Sequence, residues 1–339
     1  MKLQFIIVIV LATLSFEVKA QDPVFTQFFL APEALNPAYT GTLNTWYTGI
    51  VHRTQWPDGN RKLNTEYAFL NGPLDEDGKM GVGITILNHH EVFTNYNYLQ
   101  INTAFAYNVE LNDFWKLRLG LEAGYGNKNY NFGNLLLEDQ ININTGVINT
   151  SSVDPNILSY SNKINFIDIS SGLLMYTDDA WFGIGLKHLN RPDISFIENG
   201  NIPLEMFLSL HGGYALNLNS LRLMFDDGAR FLLTGNYMRQ SQYNRLDLGV
   251  AVEFDKFTFG AISVTNPERR SKNSHFLTSI NLFTSIQIEK LVFGYSYDVN
   301  TSRLGNTNGV HELSLTWQLG RPCSRCNNYL VKKPWGRNY

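Results

Sequence analysis

The chain has 339 residues, a net charge of −3, 13% aromatic and 17% charged residues, and two cysteines. A globular domain averages about a quarter charged residues, so charge is low here and aromatic content high, the shift expected where strands face lipid and need apolar side chains in place of Lys and Glu. The charge balance offers no basic surface for nucleic acid, and beyond the N-terminal leader no run approaches the roughly 18 apolar residues of a membrane helix.

Residues 1–20 hold Lys2, an apolar run from Phe5 to Phe16, and Val18-Lys19-Ala20 before Gln21. That order reads as a cleaved secretory signal peptide, its apolar part too short to cross a bilayer as a helix. The next segment, 21–44, begins "QDPVFTQFFLAPEALNPAYTG". Its Pro23, Pro32 and Pro37 remove ladder donors, so it is not a central strand. Phe25, Phe28, Phe29 and Tyr39, with Leu30 and Leu35, make it too apolar for a free tail. It either plugs the periplasmic mouth of a barrel, the reading we favour, or waits for a partner.

From residue 45 a two-residue alternation recurs and no long stretch shows helical spacing. Strands are predicted at 45–56, 62–72, 79–88, 95–109, 114–127, 164–177, 180–190, 206–217, 228–240, 243–253, 256–264, 274–287, 289–298 and 309–319. Fourteen is an even number, and the fold class that follows is all-β: an antiparallel, transmembrane outer-membrane β-barrel over 45–319, in contact with the lipid bilayer, followed by a tail at 320–339.

The last strand, "GVHELSLTWQL", shows the two faces most plainly. His311, Leu313, Leu315 and Trp317 alternate with Glu312, Ser314, Thr316 and Gln318, so the apolar set faces lipid and the polar set faces the lumen. An aqueous or plugged lumen accommodates Arg53, Glu66, Arg118, Glu122, Lys187, Asp247, Glu253 and Glu312, whereas a packed sandwich core would have to pair nearly every one. Closure sets the first strand beside the fourteenth, which predicts that Arg53 lies near Glu312. Gly81, Gly83, Gly183 and Gly185 read as small lumen-facing residues that leave room for a ligand or plug.

The connections sort into two rims. With both termini periplasmic, most turns after even-numbered strands are tight, 218–227 being the exception; connections after odd-numbered strands include the long 128–163, 191–205, 266–273 and 300–307. Only 241–242 is a tight turn on the long-loop side. Trp46, Trp115, Trp181 and Trp317 fall at the short-turn rim, as interface aromatics would.

Side chains that might carry chemistry are sparse. His89-His90-Glu91 cannot easily give one metal both imidazoles, because adjacent strand residues leave opposite faces; the triplet reads as a solvated loop. Ser209 and His211 share a face, as do Glu312 and Ser314, but neither pair has a recognisable third group or oxyanion loop. No catalysis, cofactor or metal is expected. Cys323 and Cys326, in "RPCSRC", suit a small-loop disulfide in an exported protein; structural zinc wants four ligands, and a thioredoxin-like pair wants a surrounding βαβ unit.

The stretch from Gln21 to Gly41, "HRTQW" from His52 to Trp56, "GKMGVGITILN" from Gly78 to Asn88 and the closing "GVHELSLTWQL" together resemble the PorP/SprF family of type IX secretion system membrane proteins, in the same order and at similar spacing. The resemblance implies an outer-membrane barrel. Its SprF-like members are associated with secretion and surface attachment of large adhesins bearing a type B C-terminal signal domain, as in gliding Bacteroidetes. Its PorP-like members are associated with the secretion machinery and peptidoglycan-linked lipoproteins. The tail, with Lys332, Lys333, Trp335, Arg337 and Tyr339, departs from the family and is expected to dock on a periplasmic or lipoprotein component of that apparatus or to remain disordered.

Overall fold

The computed structural model of the chain describes residues 22–43, 45–57, 62–75, 77–130, 140–141, 148, 160–197, 200–218, 229–268, 275–301 and 308–320. The expected signal peptide and the cysteine-bearing tail lie outside them. Among the described residues the strands are β1 (Trp46–Gln55), β2 (Leu63–Pro73), β3 (Met80–Glu91), β4 (Tyr96–Glu110), β5 (Lys116–Asn129), β6 (Lys163–Tyr176), β7 (Ala180–Lys187), β8 (Phe207–Asn217), β9 (Arg230–Gln240), β10 (Tyr243–Phe254), β11 (Phe257–Thr265), β12 (Leu277–Ile288), β13 (Leu291–Asn300) and β14 (Val310–Leu319). Each pairs antiparallel with its sequence neighbours, and β1 pairs with β14 to close the barrel. Closure gives every strand a partner on both sides over part of its length, which is what a sheet crossing a bilayer requires.

The strands end within three residues of the predicted ends. The largest shifts have local causes: β7 stops at Lys187 because His188 adopts a left-handed conformation at φ 59, and β3 runs on to Glu91 because Asn88–Glu91 stay in register with both β2 and β4. His89 and His90 are therefore strand residues and not a solvated loop. The β3–β4 connection is the tight turn Val92–Asn95, a second short link on the long-loop rim beside Ser241-Gln242.

Alternation sets the faces. In β14, Leu313 and Trp317 are about half exposed on the outer wall while Glu312 and Thr316 are fully buried inside. Leu119, Leu121, Ile167, Leu248, Leu282 and Phe293 add to the apolar exterior.

The lumen is filled by the N-terminal segment. Two 3₁₀ turns, Pro32–Ala34 and Pro37–Tyr39, each begin with a proline, whose fixed φ suits the first position and whose missing N–H costs nothing there. Asn36 caps the second turn by accepting from the Ala38 N–H at 2.8 Å. Phe25, Ala31, Leu35, Ala38 and Tyr39 are buried against inward residues of the wall. Burying a large apolar side chain is worth about 1.5–3 kcal/mol, so the segment is held by its own hydrophobic payload before any polar contact is counted.

The segment runs the length of the barrel. Asp22 lies beside His188 and Gln240, at the long-loop ends of β7 and β9, whereas Thr45 donates to the Leu319 carbonyl at 2.6 Å on the short-turn rim. Asp22 and Gly320, the outermost described residues, thus lie at opposite rims; the expected periplasmic placement of both termini falls on residues outside the described ones. The segment's span corrects the picture of a plug confined to one mouth.

Candidate functional site

The contacts between the N-terminal segment and the wall fall into four tiers. At the long-loop rim the His188 ring sits between two carboxylates, with Nε2 2.6 Å from Asp22 Oδ2 and Nδ1 2.9 Å from Asp168 Oδ2. The second contact is an ion pair off the axis of a good hydrogen bond. Burial works against the ionised Asp22, but the charge and hydrogen bond of His188 outweigh it and hold the carboxyl at about 2. Burial likewise opposes the imidazolium, and Asp22 with Asp168 raises His188 to about 9. Both groups are charged at neutral pH, so an ionic link joins the segment to the wall.

The second tier is a carboxylate clamp. Glu312 accepts the backbone N–H groups of Thr26 at 3.0 Å and Gln27 at 2.7 Å, and Arg53 Nη1 lies 3.0 Å from the same carboxylate. Arg53 Nη2 reaches Asp298 at 3.1 Å, and the Thr26 hydroxyl donates to Asp298 at 2.8 Å. The predicted Arg53–Glu312 neighbourhood therefore exists, with one guanidinium between two acids and two peptide groups of the segment completing the set.

Lower down, the Ser209 hydroxyl donates to the Leu35 carbonyl at 3.1 Å, and Asn36 Nδ2 donates to the Leu173 carbonyl at 3.0 Å and lies 3.3 Å from His211 Nε2. The Ser209–His211 pair is thus spent on holding the segment, with an amide where a hydrolase would need an acid. In the lowest tier Arg118 donates twice to the Thr40 carbonyl, at 3.1 and 2.6 Å. There Gly41, at φ 66, passes so close to the wall that an added Cβ would stand 2.6 Å from Gly81 Cα. Gly120 opens the matching space opposite Ala38, and Gly185 does so for the Leu35 carbonyl.

Above the clamp remains a crevice of about 560 Å³, open at the long-loop rim and floored by Asp22, Pro23 and Val24. Its walls include Arg53, His89, Arg245 and Asp298. This is ligand-sized space with both donors and acceptors. Among the described residues no group of three His, Cys, Asp or Glu converges as a metal site.

Of the charged residues expected to face the lumen, Arg53, Arg118, Glu122, Asp247, Glu253 and Glu312 are buried inside, and Lys187 points inward beside Asp22 and Phe207. Arg245 lies 2.7 Å from Asp247, and Arg230 lies 3.6 Å from Glu253. Glu66 is the exception: it stands on the outer wall, 3.2 Å from His52, because Thr65, Tyr67, Phe69 and Asn71 occupy the inner face of β2. Trp46 and Trp317 are exposed outside and Trp115 lies in the β4–β5 turn. Trp181 instead points inward, packed with Ala38, Tyr39, Leu174 and Tyr176. Sequence reasoning missed Asp22, Asp168, His188 and Asp298; only the unusual Asp-Pro at the head of an apolar segment hinted at the first.

A family model described as "Type IX secretion system membrane protein PorP/SprF" matches residues 17–317. No curated protein matches the chain. Among solved structures, a TodX deletion mutant, described as a monoaromatic hydrocarbon channel, is similar at 10% identity and a TM-score of 0.47 over 87% of this chain and 94% of that one. A FadL homologue from Pseudomonas aeruginosa gives 10% and 0.44 over 84% and 93%, and the CymD monoaromatic hydrocarbon channel 14% and 0.43 over 90% and 95%.

Proposed function

Because the chain belongs to the PorP/SprF family of type IX secretion system membrane proteins, we propose that this outer-membrane barrel is a non-catalytic anchor. It holds an exported adhesin at the cell surface through the adhesin's type B C-terminal domain. In this reading the long-loop rim faces outward, the adhesin domain meets the crevice and loops there, and the basic tail after Gly320 docks on a periplasmic or lipoprotein component.

The observation that supports an anchor over a solute channel is the lumen itself. It is occupied from rim to rim by residues 22–43, tied by four tiers of polar contacts and by buried aromatics. A hatch that opens for each solute molecule would have to break these together, whereas an anchor needs a rigid seat. Deleting the chain tests the reading: adhesin should leave the surface and appear in the medium while secretion of cargo with other signal domains continues. Unchanged adhesin display in the deletion strain would refute it.

A further inference from the structure

Strand β6 has fourteen residues but β7 only eight, and their ladder joins only Ser171–Tyr176 to Trp181–Leu186. Above that ladder, Lys163–Ser170 keeps β5 on one side and, among the described residues, meets no strand on the other. The chain turns off β7 at His188 and again at Arg191, both left-handed, at φ 59 and 43. Residues 188–197 and 200–206 then form a flap beside the β6 edge.

The flap is a poor substitute for a strand. Leu189 N–H donates to the Ile169 carbonyl at 2.8 Å, and Ser161 N–H donates to the Phe196 carbonyl at 2.7 Å. Between these the bonds come from a side chain: Asn190 Nδ2 donates to the Ile167 carbonyl at 2.7 Å, and Ile169 N–H donates to Asn190 Oδ1 at 3.0 Å. In an antiparallel strand alternate residues direct both N–H and C=O to the same side, so residues 165, 167 and 169 all face this edge. The Asn190 carboxamide makes the donor and acceptor contacts that a peptide unit of a neighbouring strand would make.

We propose that the β6 edge, Lys163–Ser170, accepts an extended polypeptide strand from the exported partner, and that Asn190 holds its place until the strand arrives. The inference rests on the anchoring function proposed above and names how the partner is gripped. Eight residues at roughly 3.4 Å each span about 27 Å, room for a full strand. Strand addition takes its affinity from main-chain bonds, and Ile167 and Ile169 on this edge are 65% and 44% exposed. An open edge is otherwise a hazard, and a loop laid over it guards it; Ile194 and Leu204 of the flap pack with Phe166 of β6 and Tyr98. His188, gripped by Asp22 and Asp168, marks the fixed base of the flap.

The test uses full-length chain in cells that export the adhesin. Ile167→Pro removes an edge N–H without removing a bond to β5, while Ile167→Ala leaves the edge intact. With both barrels at wild-type abundance, we expect at least about tenfold less surface-retained adhesin for the proline variant and unchanged retention for the alanine variant. Equal retention by the two, with loss on deleting the chain, overturns the strand-acceptor site and leaves the anchoring function standing. Retention without the chain overturns both. Should the proline variant not accumulate, Asn190→Ala decides: the proposal expects equal or greater retention once the placeholder is gone, and a tenfold loss, on the order expected for the blocked edge, would show that the flap itself is the contact and overturn it.

Discussion

Arg53 Nη1 lies 3.0 Å from Glu312 Oε2 across the seam where the first strand meets the last, and the same carboxylate accepts two backbone N–H groups from the N-terminal segment. Seam and plug are therefore one network. Removing one partner of a buried pair leaves the other unpaired at about 3–5 kcal/mol. Arg53→Ala is expected to cost that much in urea unfolding of the folded barrel and to expose residues 22–30 to protease. Glu312→Gln is expected to weaken the segment more than the seam, and the double variant to cost less than the two single losses added.

The Asp22–His188 link has a defined pH window. A carboxyl lowered from 3.8 to about 2 contributes fully above 3.8 and loses its contribution as pH falls through 2. An imidazole raised from 6.5 to about 9 contributes fully below 6.5 and loses its contribution as pH rises through 9. Amide-exchange protection at Val24 and Phe25 is therefore expected to peak between about pH 4 and 6.5 and to fall on either side. His188→Gln is expected to remove the alkaline fall, and a decline that persists in that variant would assign it to another group.

Close approach of the plug to the wall gives a steric test. A Cβ at Gly120 would collide with Ala38, whereas one at Gly235 would meet nothing nearer than 3.7 Å. Gly120→Val is expected to loosen residues 31–43 toward protease without unfolding the barrel, and Gly235→Ala to behave as wild type.

The outer wall is tested by charge. Leu121 is 63% exposed midway along β5, where a lipid-facing Arg costs about 2–4 kcal/mol near the midplane. Leu121→Arg is expected to show that loss in unfolding from vesicles. A change within about 0.5 kcal/mol, as at an ordinary water-exposed site, would argue against lipid there.

Strand number, order and the Arg53–Glu312 contact were legible because period-two patterning and closure are strong constraints. Glu66 and Trp181 were misplaced for one shared reason. The rule that polar residues face the lumen presumes water inside, and here Phe25, Leu35 and Tyr39 line the interior. Tyr67, Phe69, Leu174, Trp181 and Met238 accordingly turn inward to meet them. In β2 the aromatics claim the inner face and Glu66 is left to pair with His52 outside. The clamp and the His188 link escaped notice because they join residues more than 160 positions apart through a segment without strand periodicity.

The central claim, that this barrel is a seat for an exported surface protein, is tested most directly by purifying the tagged, full-length chain in mild detergent and identifying what accompanies it. The account predicts a large exported protein with a type B C-terminal domain in near-equal amount, and no solute flux when the chain alone is placed in liposomes. A chain that comes away alone and passes small solutes would contradict it.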